Sequence, residues 1–575
     1  MVSRRVLVAV SLVSMVLALG VTAAAGAYSP PHWFCSKVGH SIGVSSGAQM
    51  YCFGSQPSTG GAVHGGTARL RAPARTLASA TPVNVNTANL SEDVSSGGVR
   101  AYGQSETSVA SVGPYVVEAF NDSTSFFSNC PAPMSKEEGT GWSFSSDGGA
   151  SFTDQGGVHN PFCSTHLTEG DPSVEAWRSG TSSYFYISTL YPSVNVNYPA
   201  NFISVSACKV IGSGSTARIA CADPTIAAAS TECVAGPPTF CSFLDKDFMS
   251  IDPVHGRLYI TYTEFGFQPT TANGQVDVAV CDIGTPAGGT GPAGGSAGRP
   301  VCEHGSPTTN PAVTGKPYLA VAPGDLNCES EGAYPAPDPA TGDLYVGYEF
   351  NWVTNFLNPA CFDTPTRVVL ARIAAKCLVL AASSPCSAAT TSTSQAITSM
   401  DSALVPGYNR PDTNDFPRIA VTPSAGTVSL VWNDARSNPL GDILLRSWSL
   451  GTLTPVQAAP VRLNANPSGL HFLPGLRNSS AAGKLAVMWY DRADATTTLT
   501  DVRAALSVDP RAASTPAANT LITSVPSDWN ADSSDIVPNF GDYTDDYATG
   551  GRVFFSWSDG RLGEPQPFEA NLAMP

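Results

Sequence analysis

The sequence predicts an all-β fold: a β-propeller with seven blades, or six if one unit elaborates its neighbour. Three observations indicate this fold. Glycine (53 residues) and proline (46) are abundant and only 13% of residues are charged, a composition typical of many short strands joined by turns. A short apolar strand recurs seven times along the chain. Apolar residues do not repeat at helical spacing over several turns, which argues against a helical fold.

The seven copies of the recurring strand set the units of the repeat. They are "YVVEAF" (115–120), "YFYIST" (184–189), "LYITY" (258–262), "LYVGY" (344–348), "VSLVW" (428–432), "LAVMW" (485–489) and "VFFSW" (553–557). Another strand precedes each copy across a turn, usually with glycine, and a third follows a variable loop. Because the strands are apolar on both faces, each small sheet needs a sheet on either side, which radial stacking provides.

The two ends of the chain are predicted to close the ring. The last unit has three strands, ends in "FEANLAMP" and lacks a fourth, whereas "TPVNVN" (81–86) is a spare strand before the first unit. Pairing the two would remove the open sheet edges that favour aggregation.

The N-terminus has the features of a secretory signal peptide. Arg4 and Arg5 precede an apolar run (6–21), and Ala25-Gly26-Ala27 resembles a cleavage site. We therefore predict a signal peptide over 1–27, an N-terminal extension over 28–80 and a propeller over 81–575. No later run is apolar and long enough to span a bilayer, so the expected location is extracellular.

Fourteen cysteines, all after the signal peptide, indicate disulfides in an exported protein. Sequence alone does not fix their connectivity, but the blade repeat favours pairs of neighbours. The predicted pairs are Cys35–Cys52, Cys130–Cys163, Cys208–Cys221, Cys233–Cys241, Cys281–Cys302, Cys328–Cys361 and Cys377–Cys386.

The charge of the chain limits its partners. The formal net charge is −16, and loss of Arg4 and Arg5 with the signal peptide makes the remainder −18. Nucleic acids and anionic membranes are poor partners for such a surface. Divalent cations and neutral or cationic ligands are better ones.

The stretch "SSDGGASF" predicts a turn between the third and fourth strands of the first unit. Ser145, Asp147, Gly149, Ser151 and Phe152 fit the pattern S-x-D-x-G-x-[ST]-[WF]. We expect the aspartate to accept backbone N–H bonds, the glycines to take positive φ and the phenylalanine to pack into the blade.

This turn resembles the Asp-box of sialidase-type propellers. Further stretches, such as "QSETSVA", "GDPSVEA", "DKDFMSIDPVHGRLYITYTEF", "PDPATGDLYVGYEF" and "GRVFFSWSDGR", resemble blades of bacterial exported sialidase-like propellers with BNR repeats. The resemblance covers about 81–575. In that family the Asp-box lies on the face away from the active site, so the resemblance implies a structural role for Asp147.

The sequence also departs from the catalytic members of that family. Their F-R-I-P motif is absent before the first unit; "FPRIAV" (416–421) belongs to the fifth, and one Asp-box is clear where sialidases often have several. A sialidase also needs three arginines, a tyrosine nucleophile with a glutamate partner, and an aspartate acid/base. The candidate catalytic residues are Asp171, Asp247 and Tyr543.

One face of the propeller is predicted to be rich in carboxylates, because first strands begin and second strands end on the same face. The strand starts there carry Glu106, Asp171, Asp245, Asp247, Asp415 and Asp542, and the strand ends carry Asp122, Glu264, Glu349, Asp434, Asp491 and Asp559. The last three units repeat W-x-D followed by Arg436, Arg492 or Arg561. The candidate ligand-binding residues are Glu106, Asp415, Asp434, Arg436, Asp491, Arg492, Asp542, Asp559 and Arg561.

Two interpretations of this face stay open. In one, the aspartates cap turns and pair with arginines between blades, which the repetition favours. In the other, the face is a sugar site, since glycosidases use two carboxyls about 5–10 Å apart. Crowded carboxylates also suit calcium, with Asp245 and Asp247 as candidate ligands; no cofactor is required, but calcium is expected to stabilise the fold.

The leading hypothesis is an exported, monomeric propeller that binds carbohydrate or another surface ligand. The alternatives are an exo-acting glycoside hydrolase of sialidase type and a structural or adhesive exported protein. Whether the protein is an enzyme stays open. The arginines near the predicted face each have an aspartate close by in sequence, and with the −18 charge this argues against sialidase activity.

Overall fold

In a computed structural model, the described residues are 81–91, 103–122, 139–193, 201–230, 233–234, 240–265, 274–284, 300–302, 319–320, 330–351, 365–378, 391–400, 405–408, 415–529 and 540–574. The predicted signal peptide and N-terminal extension, with Cys35 and Cys52, lie outside them.

The described residues form seven antiparallel blade sheets and one separate two-stranded sheet, which confirms a seven-bladed propeller. The helices among them are short 3-10 segments at Gly214–Thr216, Ala375–Cys377 and Pro423–Ala425. No described helix is long and apolar enough to cross a membrane.

The first four blades follow one another in sequence, and each begins with its innermost strand. Before them lies β1 (Val85–Asn86). Blade 1 contains β2 (Gln104–Val112), β3 (Tyr115–Asp122), β4 (Thr140–Ser145) and β5 (Thr153–Gly157). Blade 2 contains β6 (Ser173–Ser179), β7 (Ser182–Leu190), β8 (Phe202–Ile211), β9 (Arg218–Cys221) and β10 (Thr225–Ala229). A two-stranded hairpin of β11 (Cys233–Val234) and β12 (Phe240–Cys241) leads to blade 3. Blade 3 contains β13 (Phe243–Asp252), β14 (Arg257–Phe265), β15 (Gly274–Asp282), β16 (Val301–Cys302) and β17 (Leu319–Ala320). Blade 4 contains β18 (Ser330–Pro337), β19 (Leu344–Phe350), β20 (Arg367–Ile373) and β21 (Thr391–Ala396).

The last three blades complete the ring. Blade 5 contains β22 (Arg418–Thr422), β23 (Thr427–Asp434), β24 (Asp442–Ser449) and β25 (Val461–Arg462). Blade 6 contains β26 (Leu470–Gly475), β27 (Leu485–Arg492), β28 (Leu499–Val508), β29 (Thr520–Leu521) and β30 (Ser527–Asp528). Blade 7 contains β31 (Asp545–Thr549), β32 (Arg552–Asp559) and β33 (Gln566–Ala573), and β1 is its outermost strand.

The ring closes as predicted, by a strand from before the first blade. Strand β1 pairs antiparallel with β33, Val85 opposite Glu569 and Asn86 opposite Phe568. Next to this pairing, the amide of Thr87 donates to the carbonyl of Pro567 at 3.0 Å. The last blade therefore contains strands from both ends of the described chain, and its outer edge is covered.

The core lies between the sheets, as the doubly apolar strands require. The second strands of blades 5, 6 and 7 bury Trp432, Trp489 and Trp557 completely. A buried tryptophan needs a hydrogen-bond acceptor for its indole N–H. In each case the indole donates to the carboxylate two positions on: Trp432 to Asp434 at 3.3 Å, Trp489 to Asp491 at 3.3 Å and Trp557 to Asp559 at 2.8 Å.

Two of the predicted disulfides are present: Cys208–Cys221 and Cys281–Cys302. Each links the third strand of a blade to a short strand beside it, β8 to β9 and β15 to β16. Cys163, Cys241 and Cys377 are also disulfide-bonded. The side chains of the partners predicted for these three, and of Cys328 and Cys361, lie outside the described part of the chain.

The turn at "SSDGGASF" joins β4 to β5 and has the predicted structure. Asp147 accepts bonds from the amide of Ser151 at 3.0 Å and from its hydroxyl at 2.6 Å. Gly149 has φ +85°, and half-buried Phe152 packs against the core between blades. These bonds hold the Asp147 carboxylate in the turn, and they lower its pKa even though partial burial opposes this.

Candidate functional site

The innermost strands carry a recurring irregularity at the axis of the propeller. Glu106, Asp171 and Lys246 occupy matching positions in blades 1, 2 and 3, and all have positive φ, between +52° and +56°. In blades 1 and 3 the strand pairing shifts at this position, as in a β-bulge. Such a backbone conformation costs a non-glycine residue about 1–3 kcal/mol. The contacts that these three side chains make at the axis offset that cost.

These side chains meet Asp245 and Asp542 in what we call the axial cluster: Glu106, Asp171, Asp245, Lys246 and Asp542. The Lys246 ammonium lies 3.0 Å from Asp171 Oδ2 and 2.7 Å from Asp542 Oδ2, with all three side chains fully buried. The amide of Asp542 donates to Glu106 Oε1 at 3.1 Å. The cluster thus joins blades 1, 2, 3 and 7 on the face where the innermost strands begin.

Two carboxyls of the axial cluster have pKa values shifted in opposite directions. Burial raises the pKa of Asp245 to about 8, although Lys246 opposes this effect. Burial also disfavours ionisation of Asp171, but Lys246 and the Asp245 carboxyl, which is hydrogen-bonded to Asp171, together lower its pKa. The surroundings thus favour the protonated form of Asp245 and the ionised form of Asp171.

The other two candidates for catalysis lie beside this cluster. Burial raises the pKa of Asp247 well above its ordinary value. The Tyr543 hydroxyl donates to the carbonyl of Pro172 at 3.4 Å, and its ring packs edge-on against Phe248. Burial raises the pKa of Tyr543 well above 10, and the negative charge of the nearby Asp171 adds to this effect. The surroundings of both side chains therefore favour the protonated, uncharged form.

The structure offers no support for the expected calcium site at Asp245 and Asp247. No group of three or more acidic, histidine or cysteine side chains in the described ranges is arranged to hold a metal ion. The cation among these carboxylates is the Lys246 ammonium. Calcium-dependent stability stays a prediction from the sequence, and thermal melts in EDTA and in calcium test it against the alternative that Lys246 is the resident cation.

The aspartates of blades 5 and 7 make local pairs with their own arginines. Asp434 binds Arg436 at 2.5 Å and Asp559 binds Arg561 at 2.6 Å. Both aspartates are almost fully buried and also accept the indole bond of the preceding tryptophan. They are therefore held by donors within their own blade.

In blade 6 the pairing differs from the expected one. Arg492 does not bind Asp491; it donates to the Thr500 hydroxyl at 2.8 Å and to backbone carbonyls. Asp491 instead accepts from His471 Nδ1 at 2.9 Å and from Arg503 Nε at 3.0 Å. The W-x-D repeat thus fixes the tryptophan–aspartate bond, but the position of the arginine in sequence does not fix its partner.

The remaining acidic candidates lie away from the contacts of Lys246. Asp415 accepts a bond from Asn433 in blade 5, and Glu264 accepts one from Ser242 in blade 3. Asp122 and Glu349 are buried at the ends of the second strands. The structure therefore gathers Glu106, Asp171, Asp245 and Asp542 at one point and leaves the other carboxyls in separate blades.

Two buried arginines lie on the axis. Arg418 of blade 5 stacks 3.8 Å above the ring of Tyr334 and donates to the carbonyls of Pro474 and Thr544. Burial lowers its pKa to about 9. Arg477, which follows β26, forms ion pairs with Asp545 at 2.5 Å and Glu175 at 3.3 Å.

Sequence reasoning missed Lys246 and Arg477. The signal for Lys246 was its place in "DKD", which aligns with the acidic residues Glu106 and Asp171 of the first two blades. A basic residue flanked by two acids usually indicates a solvated surface, so alignment of the blades was needed to place it at the axis.

No protein-family model and no curated protein matches the chain. Solved structures resemble the chain at low sequence identity and low TM-score. Trypanosoma rangeli sialidase is 9% identical, with a TM-score of 0.33, over 82% of this chain and 55% of that one, so the chain spans about half of its length. A protein of unknown function from Dyadobacter fermentans is 10% identical, with a TM-score of 0.37, over 86% and 98%. The intramolecular trans-sialidase from Ruminococcus gnavus, in complex with oseltamivir carboxylate, is 10% identical, with a TM-score of 0.30, over 82% and 95%.

Proposed function

We propose that this protein is an exported ligand-binding propeller. Its ligand is a neutral or cationic carbohydrate, or another surface ligand of that charge, and it binds on the face where the innermost strands begin. The protein is not a sialidase. Export is supported by the signal-peptide pattern and by the disulfides Cys208–Cys221 and Cys281–Cys302.

The observation that carries this proposal is the state of the cations on that face. Lys246 is bound by two carboxylates, Arg436 and Arg561 by one each, and Arg492 by a hydroxyl and carbonyl oxygens. Recognition of an anionic sugar needs guanidinium groups that can form bidentate bonds to its carboxylate. Cations that already have acceptors, on a chain of negative net charge, favour neutral and cationic ligands instead.

The geometry of the carboxyls also argues against glycosidase chemistry. A glycosidase keeps its two carboxyls about 5–10 Å apart, so that a sugar or water fits between them. Asp171 and Asp245 instead lie together in the fully buried axial cluster, where each shifts the pKa of the other. The Tyr543 hydroxyl faces the Pro172 carbonyl, and a carbonyl cannot take its proton as a base would.

One observation favours the alternative of an exo-acting glycoside hydrolase. Environments that push the pKa values of two neighbouring carboxyls apart are a common way to create an acid and a base. The pKa of Asp245 is raised and that of Asp171 is lowered. In a hydrolase, Asp245 would donate the proton to the leaving oxygen and Asp171 would be the base.

A binding assay and an activity assay on the same preparation separate these functions. The protein without its signal peptide would be applied to an array of neutral, amino-bearing and sialylated glycans, and incubated with a fluorogenic sialoside and a panel of other fluorogenic glycosides. We expect binding to neutral or amino-bearing glycans and no turnover above the blank. Sialoside turnover that disappears in Tyr543→Phe would refute the proposal and establish the glycosidase. No glycan binding and no turnover would favour a structural or adhesive role.

A further inference from the structure

We propose that the axial cluster is a cation site whose permanent occupant is the ammonium of Lys246. The chain thus supplies its own cation where a calcium ion was expected, and this lysine ties the blades together at the axis. The inference concerns stability and does not rest on the proposed ligand.

The position of Lys246 in the ring makes it a tie across the axis. It extends from the bulge of β13 in blade 3, whereas its closer partner, Asp542, precedes β31 in blade 7. Blades 1 and 2 lie between them along the ring, and Asp171 of blade 2 is the second partner. One side chain thereby joins three blades.

The chemistry of the surroundings fits an ammonium group. An ammonium has three N–H donors and no acceptor, and two donors are accounted for by Asp171 and Asp542 at 3.0 and 2.7 Å. Burial disfavours its protonated form, but the charges of Asp171, Asp542 and Glu106 outweigh this and raise the pKa of Lys246 well above its ordinary value. These carboxyls need a positive charge, because buried carboxylates without one are strongly destabilising.

The backbone at Lys246 supports a specific role for this side chain. Its φ of +56° is unfavourable for lysine. Gly541 of blade 7, with φ +75°, lies against blade 1, since a Cβ on it would lie 2.4 Å from the Glu106 side chain.

The wild-type protein gives the first test, which needs no variant. Thermal melts would be recorded in EDTA, in calcium chloride and in buffer alone at matched ionic strength. If Lys246 is the resident cation, the three melting temperatures will agree. A melting temperature that falls in EDTA and recovers with calcium would overturn the inference.

The second test removes the cation. Removing one partner of a buried ion pair should lower the melting temperature of Lys246→Ala by about 3–5 °C for a chain of this size. Lys484→Met is the matched control, because Lys484 pairs with Asp509 at the surface, with side chains 35% and 42% exposed, and it should shift the melt by less than about 1 °C. A Lys246→Ala melt equal to that of wild type would overturn the inference.

Chemical rescue then identifies the site. Propylammonium chloride replaces most of the missing side chain, and it should raise the melting temperature of Lys246→Ala but not of wild type or Lys484→Met. Tetramethylammonium, which has no N–H donor, should have no such effect. Equal responses of Lys246→Ala and wild type to propylammonium would refute the site.

If Lys246→Ala does not fold, the double variant Lys246→Ala/Asp542→Asn provides the comparison. Because it also removes a carboxylate that has lost its cation, it should be soluble and folded. A double variant that does not fold would count against the inference.

Discussion

Asp491 illustrates what a predicted ligand-binding carboxylate does in this fold. It accepts hydrogen bonds from Trp489, His471 and Arg503. Its carboxylate therefore holds together side chains of blade 6. Trp489 and His471 are themselves fully buried. Loss of Asp491 would therefore leave buried donors without an acceptor, which is costly.

We expect Asp491→Ala to lower the free energy of unfolding by about 2–4 kcal/mol and to leave ligand binding intact. Urea unfolding and a binding titration on the same preparation would measure the two effects. Asp509→Ala is the control, because this exposed aspartate pairs with Lys484 at the surface. Weakened binding with unchanged stability would instead make Asp491 a ligand contact.

At this scale, the sequence placed twelve acids on one face but predicted neither which of them meet nor the cation between them. Counting strand starts placed Glu106, Asp171 and Asp542 on one face, and the structure gathers them. Lys246 could not be placed in the same way, because a lysine in a regular strand next to two aspartates is expected in solvent. The bulge in β13 brings this side chain to the axis, and the sequence has no glycine or proline there to signal it.

At the scale of single elements, the turn between β4 and β5 packs against the closing blade. Gly149 lies against β33, so a Cβ on it would lie 2.8 Å from Asn571 Nδ2 and 3.0 Å from both carboxyl oxygens of Glu569. Asn571 also donates to the carbonyl of Gly148 at 3.1 Å. The turn thereby links blade 1 to the blade that closes the ring.

Two adjacent glycines allow this contact to be measured. Gly148 and Gly149 have similar φ, +78° and +85°, but a Cβ on Gly148 would have no neighbour within 4 Å. Gly148→Ala should cost only the backbone strain, about 1–2 kcal/mol, and Gly149→Ala at least about 1 kcal/mol more, because its methyl group meets Glu569. Denaturant unfolding of both variants tests this. Equal losses would mean that the contact with blade 7 adds nothing.

The sequence predicted the main strands better than the accessory ones. The seven recurring strands and the closing strand are all present, because alternation and apolar runs on both faces mark buried strands. It did not predict the two-residue strands β16, β17, β29 and β30 or the hairpin of β11 and β12. Such strands have too few residues for a periodic pattern, and their pairing depends on where the chain returns to the sheet.

At the scale of the whole molecule, Arg477 shows how the axis is filled. Its guanidinium lies within bonding distance of groups from four other blades: Ser108, Ser173, Glu175, the carbonyl of Met249, and Asp545. Arg418 binds blades 4, 6 and 7 in the same region. Together with Lys246, three cations and their partners occupy the axis and connect all seven blades. No single blade of the sequence reveals this arrangement, because every partner comes from another blade.

The buried carboxyls should make the stability of the molecule depend on pH. Burial raises the pKa of Glu118 to about 8, although a hydrogen bond from Ser556 opposes this. Burial likewise raises the pKa of Glu175 to about 7, against the charge of Arg477, and that of Asp245 to about 8. In the unfolded chain these groups titrate near pH 4. Between about pH 4 and 8 the folded protein therefore binds more protons than the unfolded chain.

Stability should accordingly be greatest near pH 4–5 and decline as the pH rises towards 8. Below this range the opposite effect sets in, because Asp171 and Asp147 have lowered pKa values in the folded protein and their contribution is lost as the pH falls. Calorimetric melts from pH 3 to pH 9 at constant ionic strength would trace this curve. In Glu118→Gln the decline between pH 5 and 8 should be shallower, since one of the protons retained only in the folded state is gone. A melting temperature that rises between pH 5 and 8 would contradict this. It would show that these carboxyls are ionised in the folded protein and are paired with cations other than those described.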